Sequence, residues 1–384
     1  MHDTEQSGLF RRRRTRTIHV GNVAVGGDAP VSIQSMTNTD PHDVEATLTQ
    51  IGGLAAIGCE IIRVALPDEK ALGTLPRLLR DSPIPVVADI HFDPRLALGA
   101  LDAGVHGLRI NPGTISDRDK LAEIARRAAA LATPVRIGVN SGSIEKALLE
   151  TYGAATPEAL VDSAASHCLF FEEQGCRDIK VSLKTSRVTT TVAACRLFAA
   201  RTDYPLHLGV TEAGTVSTGT VKSAVGIGTL LLEGIGDTLR VSLTGDPAEE
   251  VVVARRILES AGLRHSHPDV VSCPTCGRTQ IELVPLVTAV ENEIARLKAA
   301  GYRLALDKVA VMGCVVNGPG EARDADLGVA GGRGQGALFK QGKVVRTVRE
   351  DELLEVLLEE LRKHAVAPDA GTETGDEAGR RTQA

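Results

Sequence analysis

Three of the seven cysteines are spaced for metal chemistry. Cys273-Pro-Thr-Cys276 can clasp one metal ion or one edge of a cluster, and Cys314 follows on a strand-like run flanked by glycine. Zinc would want a fourth ligand, which His265 or His267 could supply, whereas an iron–sulfur cluster takes thiolates at similar spacing. The spacing favours metal over a redox thiol pair without choosing the metal. Beyond Cys314, on the turn Asn-Gly-Pro-Gly-Glu, stands Glu321. Three thiolates and one oxygen ligand would leave a single labile corner, which suits a cluster that binds substrate. Cys59, Cys168, Cys176 and Cys195 stand singly and read as small buried hydrophobes.

A second constellation is basic. Short Val/Ile/Leu-rich runs carry, toward their C-terminal ends, Arg63; Asp89 and His91; Arg109 and Asn111; Arg136 and Asn140, with Ser143 just beyond; Lys180, Ser182 and Lys184; Thr211 and Glu212; Arg240 and Ser242. Residues two apart on a strand share a side. Counting His91, seven basic side chains would then converge on one mouth. Unpaired buried charge is costly, so such an array implies a polyanion, and phosphate is the natural choice because arginine meets it bidentately. The plainer reading, ion pairs within the barrel or on its rim, has only Asp89 and Glu212 as counter-charge. Residues 212–220 add small residues and hydroxyls, and a helix starting there would offer free N–H groups to phosphate. Glu212, set among cations, should stay ionised; it reads as a general base, a stabiliser of positive charge or a structural counter-ion. His91 reads as a proton donor, a substrate ligand or a structural histidine.

The elements that must position these residues alternate. Strand-like runs at 31–36, 59–66, 84–90, 106–111, 134–140, 178–184, 206–213 and 238–243 are continuous enough in Val, Ile and Leu for a parallel sheet buried on both faces. Helical stretches such as 43–57, 93–103, 118–132, 157–173 and 247–262 separate them, and Asp93-Pro94 and Asp246-Pro247 are helix-start pairs. Eight strand–helix units predict an α/β chain with a (β/α)8 TIM barrel; a doubly wound open sheet is the alternative. After about Pro268 the texture changes to a helix-like run, a strand, a hairpin and a last helix, which predict a small α/β domain. The expected division is a disordered basic N-terminus at 1–16, a substrate barrel at 17–266, a cluster-binding domain at 267–365 and a disordered tail at 366–384.

Composition narrows the partners. The net charge is −6, and six Phe, three Tyr and no Trp leave few rings for base stacking, so nucleic acid is not expected. Arg11 to Arg14 with Arg16 reads as a solvated basic face rather than a nucleic-acid arm. No apolar run is long enough for a membrane span, and none follows the N-terminal arginines as a secretory signal would require. A cytoplasmic protein with reduced thiols is expected.

The strings VGNVAVGGDAPVSIQSMTNTD, VADIHFDPRLAL, LRINPG, RIGVNSGS, KVSLKTS, HLGVTEAG, GIGDTLRVSL, CPTCGR and GCVVNGPGE occur in this order. From about residue 11 to about residue 350 the chain thereby resembles the bacterial hydroxymethylbutenyl diphosphate synthases of the methylerythritol phosphate isoprenoid pathway, in their two-domain form. The resemblance implies a TIM barrel joined to a 4Fe-4S domain. By motif it places the cluster ligands on Cys273, Cys276, Cys314 and Glu321, and the catalytic glutamate on Glu212. It places diphosphate-binding positions on Arg63, Arg109, Arg136, Asn140, Lys180 and Ser242. His91, Asn111, Ser143, Lys184 and Arg240 complete the expected substrate-binding set from the strand-end reading.

The reaction so implied is the reductive ring opening and dehydration of methylerythritol cyclodiphosphate, with flavodoxin or ferredoxin as electron donor and a head-to-tail homodimer as the assembly. Two other readings compete. A Schiff-base aldolase would use Lys180 or Lys184 but leaves the three cysteines unexplained. A zinc- or cluster-binding regulator explains the cysteines but not the charged mouth.

Overall fold

The structure, a computed structural model, describes residues 11–115, 117–264, 268–314 and 324–367. Its contacts divide the chain into two compact units between Arg264 and His265.

The first unit opens with a hairpin, β1 (Ile18–Val20) and β2 (Val23–Val25). Eight parallel strands follow: β3 (Ser32–Met36), β4 (Ile61–Ala65), β5 (Val86–Ile90), β6 (Gly107–Ile110), β7 (Val135–Asn140), β8 (Ile179–Lys184), β9 (His207–Leu208) and β10 (Thr238–Leu239). They are hydrogen-bonded in the order β8-β7-β6-β5-β4-β3-β10-β9. A parallel bridge between Val181 and Leu206 joins the two ends of that list, so the sheet closes on itself. Eight strands with a crossover helix after each make a (β/α)8 barrel, as the alternation of runs predicts. The strands expected at 206–213 and 238–243 pair over only two residues each, because Gly209 and the residues after Leu239 leave the ladder to form the mouth.

The helices start where the side chains can cap them. Asp93 accepts from Arg95 N–H ahead of α3 (Pro94–Asp102), and Asp246 from Ala248 N–H ahead of α9 (Pro247–Ser260), each with proline in the first turn. The main apolar core lies between sheet and helices, with Ile62, Val64, Ala88, Ile110, Ile137 and Val181 on the outward side of their strands. A second, small cluster of Ile18, Val20, Val25, Ile61 and Val87 plugs the N-terminal end of the barrel with the β1–β2 hairpin. The rest of the interior is polar.

The basic N-terminal run is the first correction. It was expected to be disordered and solvated through residue 16, yet residues 11–16 are laid against the barrel. Arg12 Nη2 donates to Asp237 Oδ1 at 3.1 Å, and Arg13 Nη1 to the carbonyls of Ala199 and Thr202. Arg16 reaches Glu172 and Asp203 and stacks over Tyr204. Of the five arginines at 11–16, Arg12, Arg13 and Arg16 find acceptors there, so the run is a fastening rather than a free arm.

The second unit holds a five-stranded sheet, β11 (Asp269–Ser272), β13 (Lys308–Met312), β14 (Leu327–Gly332), β15 (Gln335–Lys340) and β16 (Lys343–Arg349), in that order. A small pair, β12 (Arg303–Leu304) and β17 (Ala365–Val366), stands apart. β11, β13 and β14 are parallel, and the β14–β15–β16 turns are antiparallel. One face is covered by α10 (Leu283–Ala299) and the C-terminal helix Leu353–Lys363, through Val290, Leu297, Val309, Val329 and Leu357.

Candidate active site

The period of two along each strand decides what faces the barrel axis. Gln34 and Met36, Arg63, Asp89, Arg109, Arg136, Lys180, Ser182 and Lys184, His207, Thr238 and Arg240 alternate with the outward apolar residues. Registers set them side by side: Asp89 opposite Arg109, Arg109 opposite Arg136, and Arg136 opposite Lys180. Two glycines make room for them. A Cβ on Gly138 would stand 3.3 Å from Arg109 Nε, and one on Gly209 would stand 2.5 Å from Lys184 Nζ.

Counter-charge is scarce and localised. Asp89 Oδ1 accepts from Arg109 Nη1 at 3.0 Å, and its other oxygen is 3.6 Å from Arg63 Nε. The neighbouring guanidiniums, Arg63 foremost among them, hold this buried carboxyl well below the ordinary range although burial opposes them. Arg240 pairs with Glu250 of α9 at 3.2 Å, and Glu250 also accepts from Leu243 N–H and Ser35 Oγ. Glu250 is therefore a counter-ion that the sequence reading lacked: it resembles any acidic residue in a first helical turn. Arg63 and Arg240 also both direct N–H groups at Met36 Sδ.

The remaining cations are bare. Arg136 has one 3.4 Å bond, to Gln34 Oε1, and its Nε finds no partner. Lys180 Nζ is buried without a partner, and burial together with Arg136 pushes its pKa down to about 7. Lys184 too is held well below its ordinary value, by burial and by Arg136, Arg240, Arg63 and Arg109. His207, unnoticed in sequence, lies fully buried with both ring nitrogens unpartnered, and burial beside Lys184 keeps it neutral. Its place on the inward side of the run at 206–213 was the available signal. An interior with so many unsatisfied donors fits an anion that enters from the mouth.

Other expected residues divide. Asn111 is buried after β6, while Asn140 and Ser242 stand half-buried at their strand ends. Ser143 Oγ is already engaged, accepting from Asn140 N–H at 3.1 Å and donating to Asn140 O, so it braces Asn140 rather than offering a free hydroxyl. His91 Nε2 lies 2.5 Å from Arg109 Nη1 and 3.6 Å from Asp89 Oδ1, which makes it a partner of those two rather than a free proton donor. Glu212 was expected among the cations. It is instead exposed at the end of the β9 segment, with no ion-pair partner among the described residues. Its φ of 53° and that of exposed Phe92, 64°, are left-handed conformations that side chains other than glycine seldom adopt, and both stand just past strand ends. The helix expected near 212–220 is α8 (Val216–Leu232). A separate groove of about 480 Å³ between α8 and α9, lined by Val216, Val225, Leu232, Val253 and Ile257, lies on the helical shell and carries none of the mouth cations.

In the second unit, β11 ends into Cys273 and β13 into Gly313-Cys314, on neighbouring parallel strands with Ser272 opposite Val311. Cys273 Sγ accepts from Gly313 N–H at 3.1 Å. Cys276 is exposed, and hydrogen bonds from Arg278 lower its thiol pKa. None of the three is in a disulfide. Two thiols in the segment after one strand, a third at the end of the next and a backbone N–H aimed at one sulfur suit an iron–sulfur cluster in donor type. Among the described residues no three such side chains already converge. Glu321, His265 and His267 lie outside the described residues.

Comparison with known proteins decides the family. The pattern described as the GcpE TIM-barrel domain matches residues 15–255, and the GcpE protein C-terminal domain matches residues 269–363. The chain belongs to the GcpE family. Its GcpE relatives include a protein of Geobacter sulfurreducens, 56% identical over 92% of this chain and 98% of the relative. Others come from Lawsonia intracellularis, 54% identical over 92% and 97%, and Frankia casuarinae, 54% identical over 96% and 95%. All three are named 4-hydroxy-3-methylbut-2-en-1-yl diphosphate synthase (flavodoxin). GcpE enzymes are iron–sulfur oxidoreductases of the methylerythritol phosphate pathway. Among solved structures, the dihydropteroate synthase of Yersinia pestis aligns with 64% of this chain and 98% of its own at 12% identity and a TM-score of 0.47. That likeness is too weak to carry an argument.

Proposed function

We propose that this GcpE chain converts 2-C-methyl-D-erythritol 2,4-cyclodiphosphate into 4-hydroxy-3-methylbut-2-enyl diphosphate by two-electron reductive ring opening with loss of water. The observation that carries the reading is the charge balance inside the barrel. Six inward cations, Arg63, Arg109, Arg136, Lys180, Lys184 and Arg240, face two buried carboxylates, Asp89 and Glu250. A cyclic diphosphate brings one ionised oxygen per phosphorus, and opening the ring frees another. Excess positive charge therefore favours the opened form over the ring.

Cys273, Cys276, Cys314 and Glu321 would hold a 4Fe-4S cluster, which supplies single electrons and a Lewis-acidic iron. The chain's own residues do the rest. Arg136, Lys180 and Lys184 hold the diphosphate oxygens, and Asp89 aims Arg63 and Arg109 at the same group. Binding the anion returns the proton to Lys180, whose burial otherwise disfavours it. Asn111, Asn140 and Ser242 hydrogen-bond substrate oxygens at the mouth, with Ser143 fixing Asn140. His91 steadies Arg109. Glu212, exposed and unpaired, moves the proton at the substrate oxygen or carbon exposed by ring opening, or stabilises positive charge there.

The electron donor is a flavodoxin, as the relatives' names suggest, or a ferredoxin. The assembly is a head-to-tail homodimer in which one subunit's cluster serves its partner's mouth, and the location is cytoplasmic. No described helix is long and apolar enough to cross a membrane. Mixing Cys314→Ala with Glu212→Gln subunits should restore part of the activity if sites are shared; none at all argues against the dimer.

Anaerobic purification and assay test the whole reading. A brown protein containing iron and sulfide, converting the cyclodiphosphate with reduced flavodoxin, is expected. Colourless zinc protein, or no conversion by the iron-loaded form, overturns it. One observation favours a second reading. Lys180, buried, unpartnered and held near neutrality, has what a Schiff-base lysine needs. Borohydride trapping of a carbonyl substrate on Lys180 would support that aldolase, which leaves Cys273, Cys276 and Cys314 without a role.

A further inference from the structure

Gln34 and Arg136 reach each other across the axis of the barrel. β3 and β7 are four strands apart in either direction round the closed sheet, so they stand on opposite walls. Arg136 Nη1 nevertheless donates to Gln34 Oε1, at 3.4 Å. Both residues are buried, Gln34 at 2% and Arg136 at 3% exposure. An anion that descends the axis to the Arg136 guanidinium therefore arrives at the Gln34 amide as well.

This bond fixes the other end of the amide. A glutamine side chain carries one acceptor atom and two N–H donors. With Oε1 turned to the guanidinium, Nε2 keeps both donors, and it is buried with no hydrogen-bond partner among the described residues. The carboxylates of the mouth are spent elsewhere. Asp89 serves Arg109 and Arg63, while Glu250 serves Arg240, Leu243 N–H and Ser35. One inward step toward the mouth on β3 is Met36, whose sulfur already faces N–H groups of Arg63 and Arg240. A buried donor without an acceptor costs free energy that a ligand oxygen would return. The residue type matters too. A glutamate has the same shape, and in this place it would be an ion-pair partner of Arg136, as Asp89 is of Arg109. The amide holds the guanidinium and leaves its charge for the ligand.

We infer that Gln34 is a ligand of the bound anion: its Nε2 donates to a phosphate oxygen while its Oε1 holds Arg136 on the barrel axis. This rests on the reading that the barrel takes a diphosphate, and it adds an uncharged member to a cradle otherwise built of cations. The competing role is a strut between opposite walls, with Nε2 satisfied by a buried water.

The test compares pyrophosphate binding by calorimetry, urea unfolding and turnover of the whole iron-loaded protein. The variants are Gln34→Met, Gln34→Glu, Arg136→Met, and Gln34→Met together with Arg136→Met. Gln34→Met should raise the pyrophosphate Kd about tenfold, and the KM for the cyclodiphosphate likewise, with kcat within about threefold. In the Arg136→Met background it should still raise Kd about threefold or more, because the amide's own bond to the anion is lost. Gln34→Glu should raise the urea midpoint, since Arg136 gains a counter-ion, and should raise Kd about a hundredfold or more. An unaltered Kd in Gln34→Met overturns the assignment. So does the absence of any further effect once Arg136 is replaced, which leaves only the strut, and so does a loss confined to kcat or to stability. If pyrophosphate binds in this Gln34-dependent way while the unaltered protein does not convert the cyclodiphosphate, the proposed reaction falls and the ligand assignment stands.

Discussion

Arg136 and Lys180 stand opposite each other in register on adjacent parallel strands, both buried, with no carboxylate of the described residues at ion-pair distance from either. Two adjacent cations without counter-charge are unfavourable in the free protein and become favourable when an anion enters. Stability is thereby exchanged for affinity at one place in the barrel.

Lys180 makes this measurable through pH. Its pKa in the folded protein is about 7, against about 10.4 in an unfolded chain. Between those values the unfolded state binds the proton and the folded state does not, so stability rises with pH from about 7 toward 10. The slope is at most ~1.4 kcal/mol per pH unit. Below about pH 7 the full cost of burying the charge stands. Urea unfolding across this range in anion-free buffer should show the rise, and Lys180→Met should make it shallower, leaving the part due to Lys184.

Glu250 is predicted to matter more for folding than its place in a helix suggests. Glu250→Gln leaves Arg240 without its counter-ion while preserving shape, and should cost about 3 kcal/mol in urea unfolding. Added pyrophosphate should recover part of that loss, since the freed Arg240 then has an anion to meet.

Glu212 should behave in the opposite way. It is exposed and unpaired, so Glu212→Gln should change stability by less than about 0.5 kcal/mol while lowering kcat about a hundredfold or more. Glu212→Gly should stabilise the fold by up to about 1 kcal/mol, because the left-handed φ of 53° no longer opposes a side chain, with the same loss of turnover. Full activity in either variant would remove Glu212 from the reaction.

The cysteines should separate by reactivity in the metal-free protein. Cys276, exposed and with its thiol lowered by Arg278, should be alkylated first by iodoacetamide. Cys59, Cys176 and Cys195, pushed up to about 12 by burial, and Cys168, raised further, should react only on unfolding. Peptide mass spectrometry gives the order, and loading with iron and sulfide should protect Cys276, Cys273 and Cys314 together.

The barrel, its strand and helix positions and the cationic mouth were legible along the chain. Strands at 134–140 and 178–184 announce themselves because their inward residues, Arg136, Lys180 and Lys184, interrupt Val and Ile at every second position. The roles of single residues were less legible. Ser143 is bonded to Asn140; His91, readable as a proton donor, a substrate ligand or a structural histidine, is bonded to Arg109; Arg240, counted among the mouth cations, has Glu250. The arginines at 12, 13 and 16 looked solvated, because acceptors such as Asp237, Glu172, Asp203 and the carbonyls of Ala199, Thr202 and Tyr204 come from segments far along the chain.

The sequence by itself determined which side chains the barrel must turn inward, since the two-residue period of a strand leaves no other choice once its outward face is apolar. It also placed Cys314 at the end of a strand and spaced Cys273 and Cys276 to clasp one metal. Only the tertiary structure decided which of those charges are neutralised. That depends on the register between strands and on what a neighbouring helix packs against them. Asp89 is thus shared by Arg63 and Arg109, Glu250 is assigned to Arg240, and Arg136 and Lys180 are left without a carboxylate among the described residues.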